Sequence, residues 1–220
     1  MRDRGDLDLW WRLALPVAGL LARACFRFRV RGAEHVPASG PAVIAANHVS
    51  ALDGVVVALV IAERRRRTTR FLAGAEFFRS RSVGWALRRF GQIPLRRGEG
   101  DRDALDEAIR TLRAGALVGL FPEGRVNARP DAGLQPARSG VARVALSGPA
   151  PVVPVGMWGT NLRDPRSGFH LRRPWRPTVG VVFGDPIALE GDADSPDDAR
   201  SAAELVVRRI ASMVEEARAL

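Results

Sequence analysis

The sequence predicts a single α/β domain, with a mixed, largely parallel sheet flanked by helices and an amphipathic, membrane-interacting helix at the N-terminus. Three observations predict it. Short apolar runs bounded by turn residues alternate with helical patterns along the chain. No internal repeat and no linker divides its 220 residues. Hydrophobic residues make up 46% of it, enough to bury a sizeable core and too many for a disordered tail.

The first element spans residues 7 to 25, Leu-Asp-Leu-Trp-Trp-Arg-Leu-Ala-Leu-Pro-Val-Ala-Gly-Leu-Leu-Ala-Arg-Ala-Cys. Arg12, Pro16 and Arg23 break the apolar run, so it does not cross a bilayer. Trp10 and Trp11 at one end give it the character of an interfacial segment. Asp3, Asp6 and Asp8, and the lack of a small-x-small cleavage site, argue against a secretion signal. Residues 1–28 are therefore assigned to this segment and residues 29–220 to the α/β domain.

Six strands follow from the apolar runs Ala42–Ala46, Arg70–Ala73, Gln92–Leu95, Ala116–Phe121, Val152–Met157 and Thr178–Phe183. Between them, Asp53–Glu63 is almost continuously apolar and is predicted as a buried helix. Asp101–Ala114 carries Leu105, Ala108, Ile109 and Leu112 on one face and stops at Gly115. Ser139–Ser147 is a shorter helix. Ser195-Pro196-Asp197 opens a last helix with Val206, Ile210, Met213, Val214 and Ala217 on one face. The acidic stretch from Asp185 to Asp198 reads as a solvated loop.

Charge narrows the class of partner. All 34 basic side chains are arginine and the net charge is +10. The absence of lysine is a coding bias; the surplus of cations is not explained by it. Residues 64–102 hold twelve arginines against three acids, with Arg64-Arg65-Arg66-Arg67 the densest run. That run is expected to face an anionic bilayer. Nucleic acid is not expected as a partner, because no binding motif or aromatic platform accompanies the charge. A single cysteine, Cys25, excludes a disulfide framework and a cysteine-based zinc site.

The candidate chemistry gathers at strand ends. His48 ends the run Ala42-Val-Ile-Ala-Ala-Asn47-His48, and the carboxyl end of a strand is where ligands bind in an open α/β sheet. Asp53 opens the next helix, so a strand-to-helix turn brings its carboxylate onto the imidazole. Such a carboxylate fixes the tautomer and leaves the other ring nitrogen as a base for an attacking alcohol. His35 and His170 have no such partner. No Gly-x-Ser-x-Gly elbow, dinucleotide fingerprint, Walker loop or metal-spaced histidine pair occurs. Without a covalent nucleophile, the electrophile must arrive already activated, as a thioester is. Two further clusters end strands: Leu120-Phe121-Pro122-Glu123-Gly124-Arg125-Val126-Asn127 and Gly91-Gln92-Ile93-Pro94-Leu95-Arg96-Arg97-Gly98. Each joins glycine to arginine, which suits an anion such as phosphate.

These blocks together resemble the glycerolipid acyltransferases, the 1-acylglycerol-3-phosphate (lysophosphatidic acid) acyltransferase family. Asn47-His48-Val49-Ser50-Ala51-Leu52-Asp53 is similar to its Asn-His-x-Ser-x-x-Asp signature, and Phe121-Pro122-Glu123-Gly124 matches its Phe-Pro-Glu-Gly block. Ile93-Pro94-Leu95-Arg96-Arg97, Ser139-Gly140-Val141-Ala142 and Val152-Val153-Pro154-Val155-Gly156 resemble the remaining blocks, in family order. The resemblance implies acyl transfer from acyl-CoA or acyl carrier protein to a lysophospholipid hydroxyl, without a metal or other cofactor. It implies catalytic roles for His48 and Asp53, and substrate-binding roles for Asn47, Ser50, Arg97, Glu123, Gly124 and Arg125. It also implies a peripheral or monotopic enzyme at the cytoplasmic face of the cell membrane. Two departures bear on the acceptor. Arg125 follows Gly124 directly, where the family usually has threonine and then arginine. Arg96 stands where an acid usually precedes the second block's arginine. Another lysophospholipid, a glycolipid or an amino lipid is the alternative acceptor; a non-catalytic basic membrane-binding module is the distant one.

Overall fold

The structure, a computed structural model, describes residues 7–96, 101–148, 150–163 and 175–220. Arg97 and His170 therefore lie outside the described residues. In chain order the elements are α1 (Leu9–Cys25), β1 (Arg27–Arg31), β2 (Ala42–Ala46), α2 (Asp53–Arg65), β3 (Thr69–Gly74), α3 (Arg81–Arg89) and β4 (Ile93–Leu95). Then come α4 (Arg102–Arg113), β5 (Leu117–Leu120), α5 (Gly140–Ser147), β6 (Val152–Trp158), β7 (Thr178–Phe183) and α6 (Pro196–Arg218).

One sheet runs in the order β1-β7-β6-β2-β5-β3-β4. Every pairing is parallel except that of β6 with β7, which is antiparallel. The expected mixed, largely parallel sheet is thus present. Its central strands are buried on both faces, as parallel strands between helices must be. In β2, Val43 and Ala45 point into the core beneath α4, α5 and α6, whereas Ala42, Ile44 and Ala46 point towards α2.

Two elements escape the sequence reading. β1 reads Arg-Phe-Arg-Val-Arg, a two-residue alternation hidden by its charge; it pairs on one side only, with β7. Arginines on its open edge discourage pairing with another chain. α3 buries only Gly84, so no apolar stripe announces it. Its start is instead fixed by Ser80, whose hydroxyl accepts from the Val83 N–H at 3.4 Å.

The run Arg64–Arg67 does not face outwards as a unit. Arg67 is only 3% exposed and donates to the carbonyls of Pro37 (3.1 Å) and Gly115 (2.8 Å). Arg65 donates to Val36 O at 2.8 Å. The chain turns at Arg66 (φ 58°), which caps α2, and this rotation carries Arg67 inwards. Arg64 and Arg66 alone stay exposed.

α1 lies along α2. Leu15 packs with Leu59 and Ala62, while Gly19 abuts Glu63, so the two helices run in the same direction. The opposite face of α1 presents Leu9, Leu13, Val17 and Leu20, each at least 60% exposed. These positions recur at helical spacing and form one apolar stripe. Trp10 extends it to Trp85 of α3, edge to face at 6.0 Å. Among the described residues no helix is long and apolar enough to cross a membrane.

Candidate active site

Parallel pairing brings three strand ends together. Ala45 is in register with Leu120 of β5, and Ala46 with Val155 of β6. The loops that leave β2, β5 and β6 therefore emerge at one end of the sheet. They carry His48, Glu123 and Thr160.

His48 Nδ1 lies 3.0 Å from Asp53 Oδ2. Asp53 sits at the first position of α2, and its carboxylate bends back over the loop. The same Oδ2 accepts the N–H groups of Val49 (2.6 Å) and Ser50 (2.8 Å). Oδ1 accepts the Thr160 hydroxyl at 2.6 Å. Asp53 and Thr160 are fully buried. An ionised carboxylate only accepts, so Nδ1 carries the hydrogen and Nε2 keeps its lone pair. Among the described residues no group hydrogen-bonds Nε2. The ring stacks on Phe121 at 3.9 Å and 11°, and Phe121 stacks on Phe71 at 5.4 Å. Gly119 makes room for this column, since a Cβ there would stand 2.4 Å from the Phe71 ring.

The main chain of His48 is held from both sides by the loop after β5. Its N–H donates to Glu123 Oε1 at 2.8 Å, and its carbonyl accepts the Asn127 N–H at 2.6 Å. Glu123 Oε2 accepts the Gln135 N–H at 2.9 Å. Burial pushes the Glu123 carboxyl above its ordinary value, while the N–H groups of Gln135 and His48 pull the other way without cancelling it. Glu123 is 3% exposed and both oxygens are committed. Glu123, expected as a substrate-binding residue, thus spends both carboxylate oxygens on the main chain of His48 and Gln135.

Asn47, also expected as a substrate-binding residue, is likewise engaged with main chain. Its amide donates to Met157 O (3.0 Å) and accepts from Met157 N–H (2.7 Å), so the side chain is spent joining β2 to β6. Ser50 is fully buried, and its hydroxyl accepts from the Leu52 N–H at 3.2 Å. Gly124 adopts φ 69°, and a Cβ there would meet Arg138 Cδ at 2.5 Å. The glycine thus lets the exposed Arg138 side chain lie across the loop. Arg125 is exposed beside it and donates through Nε to Gln135 Oε1 at 2.6 Å.

Sequence reasoning missed three contributors. Thr160 carries no motif, and only its place just after a buried strand marks it. Asn127 was legible in the Leu120–Asn127 cluster but not its main-chain bond to His48. Arg138 precedes the Gly140 helix and gains meaning only from its position over Gly124.

The family model described as Acyltransferase matches residues 27–158. The 1-acyl-sn-glycerol-3-phosphate acyltransferase of Bacillus subtilis is 26% identical over 175 residues, covering 80% of this chain and 81% of that protein. The chloroplastic 1-acyl-sn-glycerol-3-phosphate acyltransferase LPAT1 of Arabidopsis thaliana is 30% identical over 165 residues, 74% of this chain; the chain spans only 44% of its length. The crystal structure of the 1-acyl-sn-glycerophosphate (LPA) acyltransferase PlsC from Thermotoga maritima superposes with a TM-score of 0.69 at 27% identity, covering 100% of this chain and 85% of that one. The family match takes in β1 to β6, and with them His48, Asp53 and the Glu123 clamp. The chain belongs to the acyltransferase family and is an acyltransferase.

Proposed function

We propose that the protein moves a fatty acyl chain from acyl-CoA or acyl carrier protein to the hydroxyl of 1-acylglycerol 3-phosphate, giving phosphatidic acid. The observation that carries the mechanism is the His48–Asp53 pair, with Nδ1 on the carboxylate and Nε2 free. Nε2 takes the proton of the acceptor hydroxyl as its oxygen attacks the thioester carbonyl. A tetrahedral intermediate forms, the C–S bond breaks, and the imidazolium returns the proton to the leaving thiolate. Asp53 keeps the ring oriented and stabilises its charge in between. The acyl chain passes directly between substrates, because the hydroxyl nearest the pair in sequence, that of Ser50, is buried and turned into the loop.

Arg125 and Arg138 supply cations for the acceptor's phosphate, with Arg97 as the third expected contributor. The placement of Arg125 immediately after Gly124, tied to Gln135, favours a second reading in which the acceptor is another lysophospholipid or a glycolipid. The exposed apolar stripe of α1, with Trp10 and Trp85, supports a peripheral position on the cytoplasmic face of the membrane, α1 lying in the interface.

His48→Ala tests the mechanism in an assay of detergent-dispersed protein with one acyl donor and a panel of acceptors. Turnover falls by about 10²–10⁴-fold while the fold is kept. Near-normal turnover removes His48 as the base. Rapid quench with labelled donor checks direct transfer, and a covalent acyl-protein that disappears in Ser50→Ala overturns it. Preference for an acceptor other than 1-acylglycerol 3-phosphate selects the second reading.

A further inference from the structure

A groove of about 400 Å³ opens between the last turn of α1, strand β1 and the C-terminal half of α2. It is separate from the catalytic pair. Glu63 and Arg64 on its wall lie ten and eleven residues beyond Asp53 on the same helix. At the helical rise this places them about 15 Å away, at the far end of α2.

Its chemistry is that of a receptor for an anionic amphiphile. Phe26, Phe28, Leu59 and Val60 give it an apolar lining, while Arg64 and Arg176 add cations; Arg27 and Arg29 border it through main chain, because their side chains alternate with Phe28 to the α6 face of the sheet. Among the described residues Glu63 is the only acid on the wall, and it is already committed to Arg23 through bonds of 2.6 and 2.7 Å. Among the described residues no carboxylate pairs with Arg64 or Arg176. Arg176 Nη2 reaches Phe26 O only at 3.4 Å, and its buried Nε has no hydrogen-bond partner. Such an unpaired buried donor is rare unless a ligand or ion completes it.

The occupant is argued from the neighbouring surface. The exposed stripe of α1 ends at Leu20 and Leu21, and Arg23 one turn on borders the groove. A bilayer touching the stripe therefore presents its head groups to these arginines. An inorganic anion would leave the aromatic lining empty. An acidic protein would use the arginines without needing a cavity of this size, which falls in the range of small-molecule sites.

We propose that this groove is a second lipid site, distinct from the acceptor site, that takes the phosphate head group of an anionic phospholipid of the bilayer. It rests on the reading of α1 as an interfacial helix. Occupancy pins the C-terminal end of α1 and makes membrane binding selective for anionic lipid.

The test uses the full chain and phosphatidylcholine vesicles with or without phosphatidylglycerol. Arg64→Gln/Arg176→Gln is compared with a charge-matched control, Arg143→Gln/Arg209→Gln, on α5 and α6. The groove variant should lose about tenfold or more in binding to anionic vesicles, as loss of two well-placed cations implies. The control should lose much less. Binding to neutral vesicles and turnover of dispersed substrates should not change in either. In thermal unfolding, dispersed short-chain phosphatidylglycerol should stabilise the wild type, and inorganic phosphate should not. Equal losses in both variants, unchanged binding of the groove variant, or equal stabilisation by phosphate overturns the groove. Binding to neutral vesicles isolates the interfacial reading: Leu13→Ser/Val17→Ser should abolish it. A wild type that ignores both vesicle types overturns that reading and the groove together.

Discussion

The main-chain N–H of His48 is held by the carboxylate of Glu123, 2.8 Å away, on a loop 75 residues further along the chain. With the Asn127 N–H on the His48 carbonyl, this bond locks the backbone of the base while Asp53 locks its ring. Helix α2 and the loop after β5 thus fix one imidazole, which is what a positioned base requires.

Glu123→Gln tests the clamp. A glutamine has one acceptor oxygen for two N–H donors, so one buried donor is left facing an NH₂ group. The variant should lose about 1–3 kcal/mol of stability. Its pH dependence has a definite sign. Burial raises the Glu123 carboxyl above its ordinary value, so the folded state binds more protons than the unfolded state just above that value. Wild-type stability relative to the non-titrating variant is greatest below the ordinary glutamate range. It declines as pH rises through the raised value, then levels off. Urea unfolding of both proteins across acid to neutral pH checks this. A gap that widens with pH would mean the two N–H donors outweigh burial.

Thr160 reaches the pair from the other side, its hydroxyl 2.6 Å from Asp53 Oδ1. Thr160→Val keeps the shape and removes the donor, leaving a fully buried carboxylate oxygen unpaired. Stability should fall by about 1.5–3 kcal/mol, the range for bonds to charged groups. As a positioning residue Thr160 should affect kcat and leave both KM values near wild type, and Thr160→Ser should restore kcat. A KM effect without a kcat effect would place Thr160 at the substrate instead.

Gly119→Ala probes the aromatic column. The added methyl meets the Phe71 ring, which must tilt and carry Phe121 with it beneath His48. Overpacking of this kind costs about 1–3 kcal/mol. Turnover should fall in parallel, and Gly119→Ala/Phe71→Leu should recover part of both losses. Full activity in the single variant would show that the stack does not hold the ring.

The strand and helix pattern was legible because buried strands such as Ala42–Ala46 are apolar runs and α4 carries a clear stripe. The His48–Asp53 contact was legible too, since a strand-to-helix turn with Asp53 five residues after His48 leaves few alternatives. What did not show was any relationship that depends on strand order. Glu123 and Thr160 look like an anion loop and a strand end until β5 and β6 are placed on either side of β2. Asn47 reads as a substrate contact because its partner, the Met157 main chain, is 110 residues away. Arg67 reads as surface charge because nothing local reveals that the turn at Arg66 sends it inwards.

Arg125 and Arg138 give the last prediction. Arg125 spends Nε on Gln135 and keeps its two NH₂ groups; Arg138 crosses Gly124 with no ion pair among the described residues. A phosphate bound between them takes charge-assisted bonds from both, each worth about 1.5–3 kcal/mol. Arg125→Ala and Arg138→Ala should therefore each raise the acceptor KM by about 10- to 100-fold, at 1.4 kcal/mol per factor of ten. The donor KM should stay put. If one phosphate is shared, the double variant loses less than the product of the two single losses, because the first truncation already releases the ligand from its neighbour. A phosphate-free acceptor such as a monoacylglycerol should be indifferent to all three changes. Equal losses with that acceptor would mean that the two arginines hold the loop after β5 in shape and leave the phosphate to other residues.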